Sequence, residues 1–507
     1  MSTETLVDRI YRFQQERPDA PALRDPNHSL SWGELGRLSN RIANALVAAG
    51  LAKGDRIALL APGSALYAAT MVGALKAGVS VVPLPTLLSG EAITAMIADS
   101  GARILFAADP LRPLAGSAAP RTVSLEIPDI EAFVASIPDT RPSVSVDIED
   151  EFNVIYSSGT TGHPKGIVQS HRLRAAAALR FGAVGFPDGC RTLATTALYS
   201  NWTMGALIYT LWSGGCIHIG GKFTPQGFLD LCAAFRPHDI FMVPVQVKRL
   251  LDHVAAANAA PPPAARKWCA GSYFPSEQKR ALLDFWPGGL MEIYGLTEGA
   301  PFTMLDAAAY PDRIGTVGRA EPPGDVKIIN DDGRELPTGA RGEVLGRVRI
   351  VMRGYNNSPV ATEALIWRDA NGDAWFRSGD IGELDEDGFL TITGRKKDMI
   401  ISGGFNIYAA DLEETLLRHP AVAEAAVFAV PSAQWGESPV AAIVAGSDAV
   451  AETGDILAWA NTQLGSLQRL RDLVVVETLP RGSLDKILYR ALREQFRHLG
   501  DMEAPKP

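Results

Sequence analysis

The sequence predicts an α/β fold, a large domain of helix-covered parallel sheets followed by a smaller α+β domain. Three observations predict it. Apolar segments alternate between helical and strand spacing from the N-terminus to about Gly346. One loop rich in glycine and hydroxyl residues follows directly behind an apolar strand at 152–156. After Gly346 the pattern changes to alternating strands joined by a tight turn, then to a compact set of helices and strands.

Residues 35–49 carry apolar side chains at helical spacing, 56–60 read as a strand and 66–76 as a helix. Strands follow at 78–84 and 104–107, and this βαβ rhythm predicts parallel sheets. The stretch 109–147, rich in Pro, Ala and Ser, predicts irregular connecting structure. Pro261, Pro262 and Pro263 make 255–265 a surface loop or short stiff connector. Further on, strands at 381–384 and 389–393 flank Asp385-Glu-Asp-Gly388, a turn signal. Then come a helix at 411–418 stopped by Pro420, a strand at 422–430, a helix near 456–464, a strand at 473–476 and a helix at 484–496. These suffice for an independent domain. The boundary is expected within Arg395-Lys396-Lys397-Asp398, giving domains 1–396 and 397–507.

The chain has 507 residues, 47% hydrophobic and 21% charged, with a net charge of −9, a balance that suits a soluble enzyme and does not favour nucleic acid or an anionic membrane. No secretory signal is evident at the N-terminus. The apolar window 65–88 is broken by Lys76, Gly78, Pro83 and Pro85 and reads as a buried helix and strand, not a bilayer span. Cys190, Cys216, Cys232 and Cys269 form no Cys-x-x-Cys pair and read as buried free thiols of a cytoplasmic protein.

Five segments carry chemistry. Tyr156-Ser-Ser-Gly-Thr-Thr-Gly-His-Pro-Lys-Gly166 packs hydroxyls, glycines and a lysine, a composition that lets backbone and side chains donate to a bulky anion. Its spacing differs from the P-loop of the NTPases. Tyr294-Gly-Leu-Thr-Glu298 offers an aromatic ring, a hydroxyl and a carboxylate, suited to a base, a phosphate oxygen and Mg²⁺, although a structural turn has the same composition. In Ser378-Gly-Asp380 a carboxylate at a strand end can accept ribose hydroxyls or simply make a turn. Gly394-Arg-Lys-Lys-Asp-Met-Ile-Ile-Ser-Gly-Gly404 places three cations beside a hairpin and frees the backbone at Gly403 and Gly404. In Pro480-Arg-Gly-Ser-Leu-Asp-Lys486, the apolar stripe Leu484, Leu488, Leu492 and Phe496 puts Lys486 off the core face near a helix N-terminus. A lysine gains nothing there from the helix dipole, which points to an anion elsewhere or to an ordinary exposed lysine.

Taken in order, these segments resemble the acyl-adenylate-forming superfamily of acyl-CoA synthetases, carrier-protein adenylation domains and beetle luciferases. The match runs from Ser31-Trp-Gly-Glu-Leu to Lys486-Ile-Leu. The resemblance implies a barrel-like β region ending the large domain and a mobile small domain. It implies that Ser157, Ser158, Gly159, Thr160, Thr161, Gly162 and Lys165 hold the β- and γ-phosphates of ATP. Adenine would lie between Gly271-Ser272 and Glu292-Ile293-Tyr294. Thr297 would touch the α-phosphate, Glu298 would hold Mg²⁺, and Asp380 with Arg395 would bind ribose. Lys486 would offset charge between carboxylate and α-phosphate. A hinge at Lys397 would then withdraw Lys486 and bring Ser402, Gly403 and Gly404 toward the adenylate for attack by the CoA thiol.

Three positions depart from the family pattern. Phe405 replaces the usual Glu, Asp485 stands where Gly is usual, and Leu467-Gln-Arg-Leu-Arg471 lacks Lys-x-Pro, leaving Arg469 and Arg471 to meet the 3′-phosphate of CoA. The acyl pocket implied by the resemblance comprises Tyr199, Trp202, Met204, Val243 and Leu296, apolar and aromatic enough for a medium-chain, alicyclic or aromatic acid. The same residues would look alike as plain core. No arginine devoted to a second carboxylate is evident. The expected reaction joins a carboxylic acid to CoA at the expense of ATP, releasing AMP and pyrophosphate. The alternative is a separate adenylating enzyme that loads a carrier protein. A non-catalytic acyl-nucleotide binder would not need Lys486, Glu298 and Asp380. A homodimer is left open.

Overall fold

Ser31 sets the start of the first long helix. Its hydroxyl accepts from the Glu34 N–H while the Glu34 carboxylate accepts from the Ser31 N–H, a reciprocal cap on Trp32–Ala48. Ser64, Ser170 and Ser200 cap Ala65–Lys76, His171–Ala183 and Asn201–Trp212 through their side chains. In this computed structural model the described residues are 3–116, 121–157, 165–402, 405–446, 452–465, 468–482 and 486–500. The chain forms two compact units, Met1–Gly318 with Arg347–Phe376, and Arg319–Gly346 with Arg377–Pro507.

The first unit holds two sheets and the α/β architecture. One sheet runs in the order Phe302–Asp306, Leu290–Gly295, Arg266–Cys269, Asp239–Met242, Arg191–Ala194, Cys216–Ile219, Pro21–Arg24 and Ser29–Ser31. The strands from Leu290–Gly295 to Pro21–Arg24 are parallel, and both ends of this run pair antiparallel. The other sheet orders Gly354–Tyr355, Lys165–Ser170, Glu151–Ser157, Ser80–Pro83, Arg56–Leu60, Ile104–Ala107 and Thr122–Ser124. Its first three strands pair antiparallel and the rest parallel. Trp32, Ile57, Phe152, Leu207, Phe241 and Trp268 belong to one continuous core that joins both sheets to the helices between them. Helix Ala65–Lys76 is buried nearly all round, as a helix apolar on every face requires. No helix among the described residues is long and apolar enough to cross a membrane.

The second unit is α+β. A small antiparallel region pairs Val326–Ile329 with Gly342–Arg347, and the end of Ala374–Leu384 with Leu390–Arg395. A further sheet joins Phe405–Ile407, Ile400–Ser402, Gly436–Ala445 and Val422–Ser432, with Asp472–Val475 parallel beside Gly436–Ala445. Helices Ala409–Leu417 and Thr453–Gln463 cover one face through Leu412, Leu416, Ile456 and Ala460.

Three expectations need correction. The stretch 109–147 is not irregular throughout: it contains a short 3₁₀ helix Asp109–Ala115, a strand Thr122–Ser124 paired with Ile104–Ala107, and a helix Ile127–Phe133. Pro110 and Pro128 sit in the first turns of these helices, where a missing N–H costs nothing. Helix Pro244–Ala257 extends into the expected 255–265 loop and ends at Asn258 in a left-handed cap. The last helix is Tyr489–Gln495, so Lys486 precedes it and is not a helical residue. Backbone pairing across the loop wins there: the Gly482 N–H donates to the Lys486 carbonyl at 2.8 Å, and the Leu488 N–H to the Pro480 carbonyl at 2.8 Å. Leu484 lies outside the described residues.

Candidate active site

Four adjacent parallel strands of the first unit end on the same edge. Leu290–Gly295 is followed by Leu296, Thr297 and Glu298; Arg266–Cys269 by Gly271 and Ser272; Asp239–Met242 by Val243; and Arg191–Ala194 by Tyr199 and Trp202. Residues scattered over a hundred positions therefore share one edge, where open parallel sheets bind ligands. Gly271 adopts φ +108°, a conformation that side-chain-bearing residues rarely adopt, which turns the chain back at the strand end. Tyr273 beside it is 68% exposed.

The expected anion loop hangs from a strand pair. Ser157 faces Lys165 in the register of Glu151–Ser157 with Lys165–Ser170, which closes the loop between them. Ser158, Gly159, Thr160, Thr161 and Gly162 lie outside the described residues, as does the side chain of Ser157. Tyr156 anchors the base, its hydroxyl donating to Asp99 at 2.6 Å. Lys165 Nζ lies 5.1 Å from the ring centre of Tyr355. The Tyr355 hydroxyl in turn donates to Glu298 Oε1 at 2.8 Å. Burial first, and the Glu298 charge second, raise the Tyr355 pKa far above its usual value, so the hydroxyl remains a donor. Lys165, Tyr355 and Glu298 thus form one cluster. Glu298 offers a single oriented carboxylate, a donor of the kind Mg²⁺ accepts. A hard cation held mainly by nucleotide phosphates needs no more.

Thr297 is held from behind. Its carbonyl accepts from Gln169 Nε2, Gln169 Oε1 accepts from Asn153 Nδ2 at 2.9 Å, and Asn153 Oδ1 accepts from Arg174 Nε at 3.0 Å. Asn153, Gln169 and Arg174 are all buried. Glu292, by contrast, turns its carboxylate into an ion pair with Lys279. Lys279 also donates to the carbonyls of Ile314 and Thr316 at 2.8 and 3.2 Å. Burial raises the Glu292 pKa to about 7 despite that partner. Its side chain is thus committed to the interior.

The five expected pocket residues are held by the following neighbours. Trp202 Nε1 donates to the Met242 carbonyl at 2.9 Å, and its ring packs 4.8 Å from that of Phe241, next to Val243. Met204 is fully buried with its sulfur 3.5 Å from Arg174 Nη2. Tyr199 is nearly buried. Leu296 packs against the cluster of Ile167, Ala300, Met352 and Phe376.

In the second unit Asp380 and Arg395 are register partners on neighbouring strands, and Arg395 Nε lies 3.0 Å from Asp380 Oδ1. The expected pair is brought together. Lys396 is bound to Asp331 and Glu343 at 2.9 and 3.3 Å. The Lys397 pKa is lowered, by burial first and by Arg395 and Arg493 after it. Ser402 ends the strand Ile400–Ser402, while Gly403 and Gly404 lie outside the described residues. Lys486 is exposed at the end of the Arg481–Ile487 bridge. Arg493, one turn into the last helix, donates to Asp398 at 3.1 Å.

Sequence reasoning missed Tyr355, Gln169, Asn153 and Arg174. A polar Gln inside the apolar run Gly166-Ile-Val-Gln was the available signal for one of them. Tyr355 lies 57 positions from its partner Glu298 and had none.

A family model described as AMP-binding enzyme matches residues 10–356, and one described as AMP-binding enzyme C-terminal domain matches 411–486. The chain is 31% identical to a feruloyl-CoA synthase of an Amycolatopsis species over 98% of this chain and all of that protein. It is 32% identical to the fatty acid–[acyl-carrier-protein] ligase ScoC of Streptomyces coeruleorubidus, over 97% of this chain and 96% of the other. The crystal structure of ATP-bound MatB from Rhodopseudomonas palustris superimposes with a TM-score of 0.87 at 25% identity, covering 98% of this chain and 99% of that one. The chain belongs to the acyl-adenylate-forming superfamily of AMP-binding enzymes, in its acyl-CoA synthetase branch.

Proposed function

We propose that the protein activates a medium-chain, alicyclic or aromatic carboxylic acid with ATP as an acyl-adenylate, and passes the acyl group to the thiol of CoA. The observation that carries this reading is the cluster of Lys165, Tyr355 and Glu298 beside a loop closed by the Ser157–Lys165 register. A cation and an oriented carboxylate at the mouth of such a loop suit a nucleotide's phosphates. Mg²⁺, when bound at Glu298, would neutralise phosphate charge. Thr297 presents its hydroxyl to the α-phosphate from a loop fixed by Gln169. Asp380 and Arg395 take the ribose, and Lys486 offsets the charge that builds as carboxylate meets phosphate. Lys397 is the hinge between a domain 1–396 and a domain 397–507, and Ser402 to Gly404 serve the second half-reaction. The reaction takes place in the cytoplasm.

The aromatic lining at Trp202 and Phe241, and the feruloyl-CoA synthase relative, support an aromatic acid. Likeness to ScoC supports one second reading, transfer to an acyl-carrier protein. AMP release measured across a panel of carboxylic acids, with and without CoA, tests both. Acid-dependent AMP formation that rises with CoA is expected. ADP as the product refutes adenylation, and turnover that responds to a carrier protein but not to CoA selects the second reading.

A further inference from the structure

Tyr355 reaches its site from a short strap of chain. Gly354–Tyr355 pairs with Lys165–Ser170 over two residues only. The Arg353 N–H donates to the Val168 carbonyl at 2.8 Å and the Asn356 N–H to the Gly166 carbonyl at 2.6 Å. The Met352 N–H donates to the Glu298 carbonyl at 2.7 Å, so the strap holds Glu298 by its backbone as well as through the Tyr355 hydroxyl. A Cβ at Gly166 would stand 3.1 Å from the Asn356 Cβ, so glycine lets the strap lie close beside Lys165. A pairing this short gives a segment little hold of its own. Successive side chains of a strand point to opposite faces, so an anchor on Asn356 from one side fixes Tyr355 on the other.

That anchor is Asp99. It stands in the last turn of helix Gly90–Ser100, the end at which the helix dipole disfavours a carboxylate. A residue needed only to end the helix would be neutral or basic. The Asp99 carboxylate instead accepts three side-chain donors. The Tyr156 hydroxyl meets Oδ2 at 2.6 Å, Asn356 Nδ2 meets Oδ2 at 3.0 Å, and Asn357 Nδ2 meets Oδ1 at 3.1 Å. The same two amides reach the Asp99 carbonyl at 2.7 and 3.1 Å, one of the acceptors a helix end leaves unpaired. Asn357 takes φ +52°, a left-handed conformation in which its anchored amide holds it. Arg56 completes the clamp. Its Nη1 donates to Asn356 Oδ1 at 2.9 Å and to the Ser100 carbonyl at 2.8 Å, while Nε and Nη2 hold Glu151 at 2.6 and 2.8 Å. Burial first, and Asp99 after it, raise the Tyr156 pKa, so that hydroxyl remains a donor. One carboxylate thus joins the base of the anion loop to the strap that carries Tyr355.

We infer that Asp99 is a positioning residue for the proposed phosphate centre. It acts by fixing the strap, so that Tyr355 sets Glu298 and Lys165 around the β- and γ-phosphates of ATP. The inference rests on the adenylation reading and adds to it a residue that lies in none of the five sequence motifs. Groups placed before the ligand arrives need no reordering when it binds, which is where such an anchor gains its effect.

The test is titration calorimetry of ATP with Mg²⁺, and separately of AMP, with no acid present. AMP lacks the phosphates that Lys165 and Glu298 would serve, so it reports on the rest of the site. Asp99→Ala should weaken Mg²⁺–ATP binding about fivefold and leave AMP binding within about twofold of wild type. Asp99→Asn, which keeps one acceptor oxygen, should fall between. In the Tyr355→Phe protein the same Asp99→Ala change should add less than about twofold, because the link it works through is already cut. Equal losses of ATP and AMP binding overturn the inference, as do an unchanged ATP affinity and full additivity with Tyr355→Phe. Should Asp99→Ala fail to fold, Asn357→Gly, which keeps the positive φ and removes the anchoring amide, decides by the same ATP-to-AMP ratio. A wild-type protein that binds no ATP refutes the adenylation reading instead, and the inference with it.

Discussion

Replacing Tyr355 by Phe removes one oxygen and little else. The ring packs against the cluster of Ile167, Ala300, Met352 and Phe376 and keeps that contact. The lost hydroxyl is the donor that orients Glu298 Oε1 from 2.8 Å. Hydrogen bonds to charged acceptors contribute about 1.5–3 kcal/mol, and Tyr355 is only partly buried, so the lower figure of about 1.5 kcal/mol applies. If Glu298 holds Mg²⁺, that energy appears as a weakened demand-satisfying geometry at the metal, close to tenfold. The assay is ATP–pyrophosphate exchange as a function of Mg²⁺ at fixed ATP and acid. The variant should need about ten times more Mg²⁺ for half-maximal exchange. Its urea midpoint should barely move, since the solvent can hydrate the freed carboxylate oxygen. An unchanged Mg²⁺ dependence would refute the role given to Glu298; a large loss of folding stability would show that the bond is structural.

Lys486→Ala should abolish carboxylate-dependent exchange while sparing thioester formation from supplied acyl-adenylate, and equal loss of both would reject its role. Glu413 gives a pH prediction. It is half-buried, accepts from the Val427 N–H and the Tyr489 hydroxyl at 2.8 Å each, and desolvation raises its pKa from 4.5 to about 7. The folded state therefore binds more protons than the unfolded chain between those values, so stability falls as pH rises from about 4.5 to about 7, by about 3 kcal/mol. Glu413→Gln should flatten that slope in urea titrations at pH 5 and 7; an unchanged slope would assign it to other groups.

The parallel architecture was legible because buried strands such as Arg56–Leu60 and Ile104–Ala107 read as short apolar runs between helical stripes, and both match the structure residue for residue. Lys165 and Glu298, and Asp380 with Arg395, were named from motifs taken in order, and the structure brings the first two around Tyr355 and pairs the second two. The start of the last helix was not. Its stripe is a side-chain pattern, whereas backbone pairing between 480–482 and 486–488 decides where the helix begins. Arg174 was overlooked for a related reason. Spacing on a helix says which residues share a face, but not that the facing strand offers Arg174 the Asn153 amide.

The path of the chain between its two compact units bears on how the protein can be cut. It crosses from one to the other after Gly318, returns after Gly346 and crosses again after Phe376. Arg341 meets Asp411 at 2.9 Å, so side chains on both sides of a cleavage point after 396 belong to the same compact body. A fragment beginning at residue 397 would leave Asp411 without its arginine and Val326–Ile329 and Gly342–Arg347 without the rest of their unit. Proteolysis at the proposed hinge should therefore yield pieces that stay associated until denatured, and segmental labelling will succeed only if both pieces are refolded together.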